Sequence, residues 1–358
     1  MKLLLLSIII TLFANGCSKT KVEKSIRSKN KSIIKEEFIY EIADAKTPQC
    51  HASTIAESGK VLVAAWFGGT AEKNKDVGIW VSRKITNNWS VPIEVVNGKQ
   101  EDGTRYPCWN PVLFQPKDGN LFLFYKVGPN PREWWGMFVT SDDNGKTWST
   151  PVKLPKGIYG PIKNKPVELS NGIILSPTST EYDGWKVQVE ISSDGGKTWS
   201  SSGDLNDTSN FQAIQPSILT HPNNTIQLLC RTKNEVISQI WSYDNGKTWG
   251  KMTSLGLPNP NSGIDAVTLK DSRYLLVYNP TGKNWGNRVP LSVAISNNGK
   301  KWKDVLELES VTNPETVEEE EYSYPSVIQT KDGLVHIVYT WNRKTVKHVV
   351  LDPSKINI

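Results

Sequence analysis

Basic and aromatic side chains dominate the positions in this 358-residue chain where chemistry looks possible. Gly160-Pro161-Ile162-Lys163-Asn164-Lys165-Pro166 sets two lysines at alternate positions, which on a regular strand sends both to one face. Two ammonium groups on one face suit an anionic ligand. Trp66-Phe67-Gly68-Gly69 and Trp134-Trp135 offer flat surfaces on which sugar rings stack, and fourteen tryptophans leave several beyond those needed as packing anchors. Further along, Arg343 and Lys347 add positive potential beside His348. The four histidines are scattered and no carboxylate cluster has ligand spacing, so no metal and no cofactor is expected.

These residues have to be held in place by a repeated element. Ser141-Asp142-Asp143-Asn144-Gly145-Lys146-Thr147-Trp148 returns at 192–199 and 242–249, in worn form at 296–302, and as a remnant at Asn87-Asn88-Trp89. The closing tryptophans, 89, 148, 199, 249 and 302, are spaced by 59, 51, 50 and 53 residues. A period of that length means stacked supersecondary units. Within the phrase, Asp or Asn closes an Asx turn, Gly takes the positive φ and Trp anchors the next strand. Between copies lie short apolar or alternating runs, such as 110–114, 121–125, 226–231 and 274–278, with no sustained helical period. About four such strands per repeat predict an all-β, six-bladed β-propeller. Its blades are expected to begin near His51, Trp109, Lys165, Gln215, Asp265 and Tyr324, with a strand over 37–42 completing the last blade. Cys50 and Cys108 would open neighbouring blades and so could pair; otherwise Cys50, Cys108 and Cys230 read as buried free thiols.

Residues 1–17 read as a processing segment: Lys2, an apolar run from Leu3 to Phe13, then Ala14-Asn15-Gly16-Cys17, which resembles a bacterial lipoprotein signal with Cys17 lipidated, an ordinary cleaved secretory signal being the alternative. The run is too short to span a bilayer, so the membrane is met through the lipid anchor alone and the product is exported. Residues 18–36 form a basic, flexible tether and 37–358 the propeller. Seven basic residues and one acid, Glu23, fall within 18–35; with Lys2 they exceed the whole +6 of the chain and leave the rest near −1. The basic balance belongs to the tether, which excludes nucleic acid as the partner of the folded domain. No dimerisation surface is evident, and a monomer is expected.

The repeated phrase is an Asp box, and with this spacing the chain resembles the sialidase (neuraminidase) superfamily, in its BNR-repeat branch. The resemblance implies a pocket over the propeller axis, with three arginines for a substrate carboxylate, an Asp acid/base and a Tyr nucleophile paired with a Glu. Arg231, in Leu228-Leu229-Cys230-Arg231, and Arg288, in Asn287-Arg288-Val289-Pro290-Leu291, match the second and third arginines. Tyr322, in Glu321-Tyr322-Ser323-Tyr324-Pro325, matches the nucleophile, and Asp76, ahead of Val77-Gly78-Ile79-Trp80, the acid/base. Two positions depart from the pattern: His51, in Cys50-His51-Ala52-Ser53, replaces the first arginine, and Gln215, in Ile214-Gln215-Pro216-Ser217, replaces the Glu.

A phenol, with an ordinary pKa near 10, needs a base or strong positive potential to attack at neutral pH. Gln215 orients but takes no proton, which leaves Glu181 or Glu190 as substitute bases. His51 either donates to the substrate carboxylate or serves as acid or base. Lys163, Lys165, Trp66 and Arg343 are expected to support substrate binding. The implied function is that of an exo-acting glycoside hydrolase removing a terminal acidic sugar, sialic acid or a related 2-keto-3-deoxy acid, from a glycan. A polysaccharide lyase acting at a uronate and a non-catalytic glycan-binding propeller are the alternatives.

Overall fold

The computed structural model describes residues 31–312, 315 and 317–357. The lipoprotein-type signal and most of the tether lie outside them. Alternating strand and turn sequences fold into six four-stranded antiparallel sheets arranged as propeller blades. Blades 1 to 5 cover residues 49–96, 108–153, 167–201, 213–258 and 265–309. Blade 6 takes three strands from 322–351, and Ile33–Phe38 supplies its outermost strand by pairing with Thr345–Leu351. This pairing completes the outer side of blade 6 and closes the ring.

Each blade begins within two residues of the expected position. The closing strand was expected over 37–42 and lies four residues earlier, so 33–36, assigned to the tether, are strand. The reason is burial: Ile33 packs against the apolar cluster between blades 5 and 6, and Glu37 pairs opposite His348. Cys50, Cys108 and Cys230 are buried free thiols.

Apolar clusters fill all six seams between blades. Each fully buried aliphatic side chain in them contributes about 1.5–3 kcal/mol. The Asp boxes fasten the rim of these seams. In the second blade Asp143 accepts from the backbone N–H of Thr147 (2.8 Å) and from its hydroxyl (2.7 Å). Gly145, at φ +78°, lies over Val63 of blade 1, close enough that a Cβ would stand 3.1 Å from it. Gly196 over Phe122 and Gly246 over Leu175 repeat the arrangement one blade further on each time. Trp89, the remnant, serves the same seam between blades 1 and 6, where its indole donates to Glu37 (3.2 Å). Every box therefore covers the blade before its own.

Candidate active site

The innermost segments do not run as regular strands. Ala52, Asn110, Lys163, Gln215 and Tyr324, one in each of five blades, have positive φ between 38° and 73°. The pairing register slips at four of these places, between His51 and Thr54, Trp109 and Val112, Ile214 and Ser217, and Ser323 and Ser326. Such bulges re-aim a side chain, and a non-glycine left-handed residue costs of order 1 kcal/mol or more. In blade 5 Gly263 stands at the axis, where a Cβ would come within 3.1 Å of Lys163 Cε and 3.3 Å of the Tyr324 ring. Its missing side chain makes room for both.

Above the bulges a cavity of about 480 Å³ opens over the axis. Arg231, Arg288 and Arg343 line it with Lys73, against two carboxylates, Glu72 and Glu181, so its lining is net positive. Arg231 is buried and held on several sides. Its Nε donates to Asn261 Oδ1 (2.7 Å), and Nη1 donates to Gln215 Oε1 (3.3 Å) and to the Tyr324 hydroxyl (2.5 Å). The guanidinium lies 5.3 Å from the Trp185 ring centre and 5.6 Å from that of Trp285. Arg288 donates to Glu321 Oε1 and Arg343 to Glu321 Oε2, each at 2.8 Å, and Arg343 also donates to Glu72 (2.6 Å). Burial alone would raise the Glu321 carboxyl, but His51, Arg288 and Arg343 pull it well below the usual carboxylate range. It stays ionised and fixes both guanidinium groups.

His51 lies among these charges with its ring centre 4.1 Å from that of Tyr324 and Nδ1 3.0 Å from the Thr340 hydroxyl. Burial, reinforced by Arg343, Arg288 and Arg231 and opposed by Glu321, holds its pKa well below the ordinary value. It is a neutral imidazole at pH 7. The missing cation is supplied from another blade: Arg343, in the hairpin turn between Val335–Trp341 and Thr345–Leu351, lines the same cavity as His51.

Several expected site residues lie elsewhere. Tyr322 packs into the apolar seam between blades 5 and 6, where burial and the Glu320 and Glu309 charges push its phenol up to about 12; Tyr324 is the tyrosine of the cavity. Left-handed backbone at Tyr324 breaks the alternation that would have kept the two on one face. Asp76 is exposed and both its oxygens serve Thr70, accepting from the backbone N–H (2.8 Å) and the hydroxyl (2.9 Å). Glu72 of the same loop enters the cavity in its place. Trp66 is 1% exposed and stacks on Tyr40 in the seam between blades 1 and 6.

Lys163 and Lys165 do not share a face, because φ at Lys163 is +73°. The Lys163 ammonium plugs the axis under the cavity, donating to Ile264 O (2.6 Å), to Asn164 Oδ1 (2.9 Å) and to Pro325 O. Burial lowers its pKa to about 7. Lys165 pairs with Asp265 (2.8 Å) and lines a separate cavity with Lys117 and Glu57. Lys347 is tied to Glu309 and Glu36. Glu190 is fully buried, accepting from the backbone N–H groups of Tyr159 (2.6 Å) and Gly160 (2.8 Å). Glu181 does line the cavity, and burial raises its pKa against the opposing pull of Arg231, Lys233, a Trp185 hydrogen bond and Arg132. Trp109, Trp185 and Trp285 complete the walls with Trp134.

The arrangement thus provides cations for a carboxylate, aromatic walls for a sugar, a phenol held by a guanidinium and a carboxyl biased toward its protonated form. The model of the BNR repeat-like domain matches residues 60–337. A sialidase of Micromonospora viridifaciens is 27% identical over 189 residues, covering 49% of this chain and 28% of that protein. One of Paraclostridium sordellii is 24% identical over 260 residues, covering 58% and 61%. The chain therefore spans less than two thirds of either curated relative. Among solved structures, a Dyadobacter fermentans protein of unknown function superposes with a TM-score of 0.72 at 18% identity, covering 91% of this chain and 99% of that one. The NanB sialidase of Streptococcus pneumoniae does so at 0.71 and 12%, covering 96% and 74%.

Proposed function

Because the chain belongs to the BNR repeat-like family of the sialidase superfamily, we propose that it is an exo-acting glycoside hydrolase removing a terminal carboxylate-bearing sugar from glycans. The observation that carries this reading is the Tyr324 hydroxyl, held 2.5 Å from Arg231 Nη1 in a cavity that also receives Arg288 and Arg343. Arg231, Arg288 and Arg343 take the substrate carboxylate, for which guanidinium groups have matching bidentate geometry. Tyr324 Oη attacks the anomeric carbon as the glycosidic C–O bond breaks, and a carboxyl proton from Glu181 goes to the leaving oxygen. Water then opens the tyrosyl–sugar bond with Glu181 as base. A phenol suits this centre because a carboxylate nucleophile would be repelled by the sugar's own carboxylate. Gln215 accepts from Arg231 but takes no proton; the phenolic proton is assigned to neutral His51, whose ring centre lies 4.1 Å from that of Tyr324. Export and anchoring through Cys17 belong to the same proposal and would place the enzyme at glycans outside the cytoplasm.

One pair of observations favours a second reading. Gln215 stands where a carboxylate would activate the tyrosine, and a neutral His51 touches that ring, a pairing that also suits proton abstraction and elimination at a uronate. The products separate the two. Incubation with sialylated and uronate-capped oligosaccharides, read by mass spectrometry, is expected to release a hydrated acidic sugar, and Tyr324→Phe and Arg231→Ala should both abolish release. A product lighter by one water would transfer the assignment to a lyase. Intact glycans that bind nonetheless would make the cavity a receptor.

A further inference from the structure

Glu181 lines two cavities. Besides the axial one it borders an open groove of about 650 Å³ lined by strand connections of blades 1, 2 and 3, which shares Lys73 and Pro131 with the axial cavity and continues past Arg132 and Tyr182. Tyr182 is 59% exposed and presents its ring to this groove. Lys73 and Arg132 are also exposed, and among the described residues neither forms an ion pair closer than 4.0 Å.

A general acid must stand at the boundary between the sugar it releases and the group that departs, within hydrogen-bond reach of the oxygen joining them. Of the two carboxylates in the axial cavity, Glu72 is engaged by Arg343 at 2.6 Å, which leaves Glu181 at that boundary. We infer that the groove of Lys73, Arg132 and Tyr182 is the subsite for the leaving group, and that it takes a saccharide whose first ring lies on Tyr182 and whose hydroxyl or acidic substituents meet Lys73 and Arg132. The inference rests on the hydrolase reading and on Glu181 as its acid. A saccharide suits the groove better than an acyl chain or an aryl group, because its lining apart from Pro131 and the Tyr182 ring is ionic or amide.

The test measures binding by the full chain carrying Tyr324→Phe, so that turnover does not consume the ligand. Titration calorimetry is run with 3′-sialyllactose and with free N-acetylneuraminic acid, before and after adding Tyr182→Ala and Arg132→Ala. The pair is expected to weaken the trisaccharide about tenfold, the loss of one stacked ring and its polar contacts, and to leave the monosaccharide within about twofold. Equal weakening of both sugars, or of neither, overturns the subsite while the hydrolase reading stands. If neither sugar binds the Tyr324→Phe chain, whereas uronate-capped oligosaccharides do, the sialic-acid reading falls and takes the subsite with it. Binding of nothing at all has the same consequence.

Discussion

Tyr324→Phe removes the hydroxyl that meets Arg231 and is expected to lower kcat by about three orders of magnitude or more, as loss of a nucleophile does. Tyr322→Phe, two residues away, should keep near-normal kcat and lose only about 1 kcal/mol of stability, the value of its hydrogen bond to Glu320. Product assays and urea unfolding on the two variants separate the roles; matching losses of activity would reassign the nucleophile. Glu181 gives a pH signature. Its carboxyl must be protonated to act, and burial, opposed by the cations around it, holds its pKa above the ordinary 4.5. Activity should therefore fall as pH rises through that raised value. Glu181→Gln should abolish this limb and cost about 10²–10⁴-fold on oligosaccharides; on substrates whose leaving group departs without a proton kcat/KM should change little, while kcat still falls because the second step has lost its base. At this scale the sequence was a partial guide. Arg231, Arg288, Arg343, His51 and Gln215 all line the cavity, because their places on the first or second strand of a blade or in a strand-to-strand connection follow from the repeat. The resemblance points to Tyr322, and nothing in the sequence marks the left-handed backbone at Tyr324, the tyrosine that lines the cavity instead.

The same irregularity governs the inner strands as elements. Lys163 on blade 3 reaches Ile264 O on the approach to blade 5 and Pro325 O in blade 6, next to Tyr324, while Asn164 Nδ2 donates to Gln215 O (2.9 Å). One short segment thus holds the backbone beside two of the bulged residues. Lys163→Met should leave those carbonyls without their buried donor, costing about 2 kcal/mol or more in urea unfolding, and should lower kcat more than it raises KM, because Tyr324 loses its placement. Asp244→Ala makes the contrasting case. It removes a rim carboxylate that accepts from Thr248 N (2.8 Å) and its hydroxyl (2.6 Å), so Tm should drop while kcat/KM stays unchanged. A fall in kcat/KM for Asp244→Ala would contradict a purely structural Asp box. The boxes were fully legible as sequence, since turn chemistry is local and repeats. The Lys163 plug was not, because it depends on three blades meeting at the axis; Lys165 lines a separate cavity because the positive φ at Lys163 turns the two side chains apart.

For the whole molecule, ring closure rests on a small polar chain. His336 Nδ1 lies 2.9 Å from His348 Nε2, and His348 Nδ1 lies 2.9 Å from Glu37 on the closing strand. With both rings neutral, His336 Nδ1–H donates to His348 Nε2 and His348 Nδ1–H donates to Glu37, so each of these three nitrogens has its partner. Glu37 also takes the Lys84 ammonium at 2.5 Å and the Trp89 indole, which ties blade 1 to blade 6. A proton added to His348 Nε2 would face the N–H of His336. Burial, with the His348 and Lys84 charges and against the pull of Asp332 and Glu37, lowers His336 to about 4; burial also lowers His348, against Glu37. The sign follows directly. Above the ordinary histidine value of 6.5 neither folded nor unfolded chain binds these protons. As pH falls from 6.5 toward 4 only the unfolded chain takes them up, so stability is lost across that window, by about 3 kcal/mol at most for His336 at about 1.4 kcal/mol per unit. Glu190 acts in the opposite sense, because burial raises it to about 7 and the folded chain binds its proton first as pH falls from 7. The bare slope therefore mixes the two, and the informative quantity is a difference. Urea midpoints at pH 7.5, 6 and 5 are expected to fall less steeply for His336→Gln, whose amide N–H still donates to His348, than for the native chain. Parallel lines would mean that the histidine pair does not sense pH, and that acid opens the ring at some other seam.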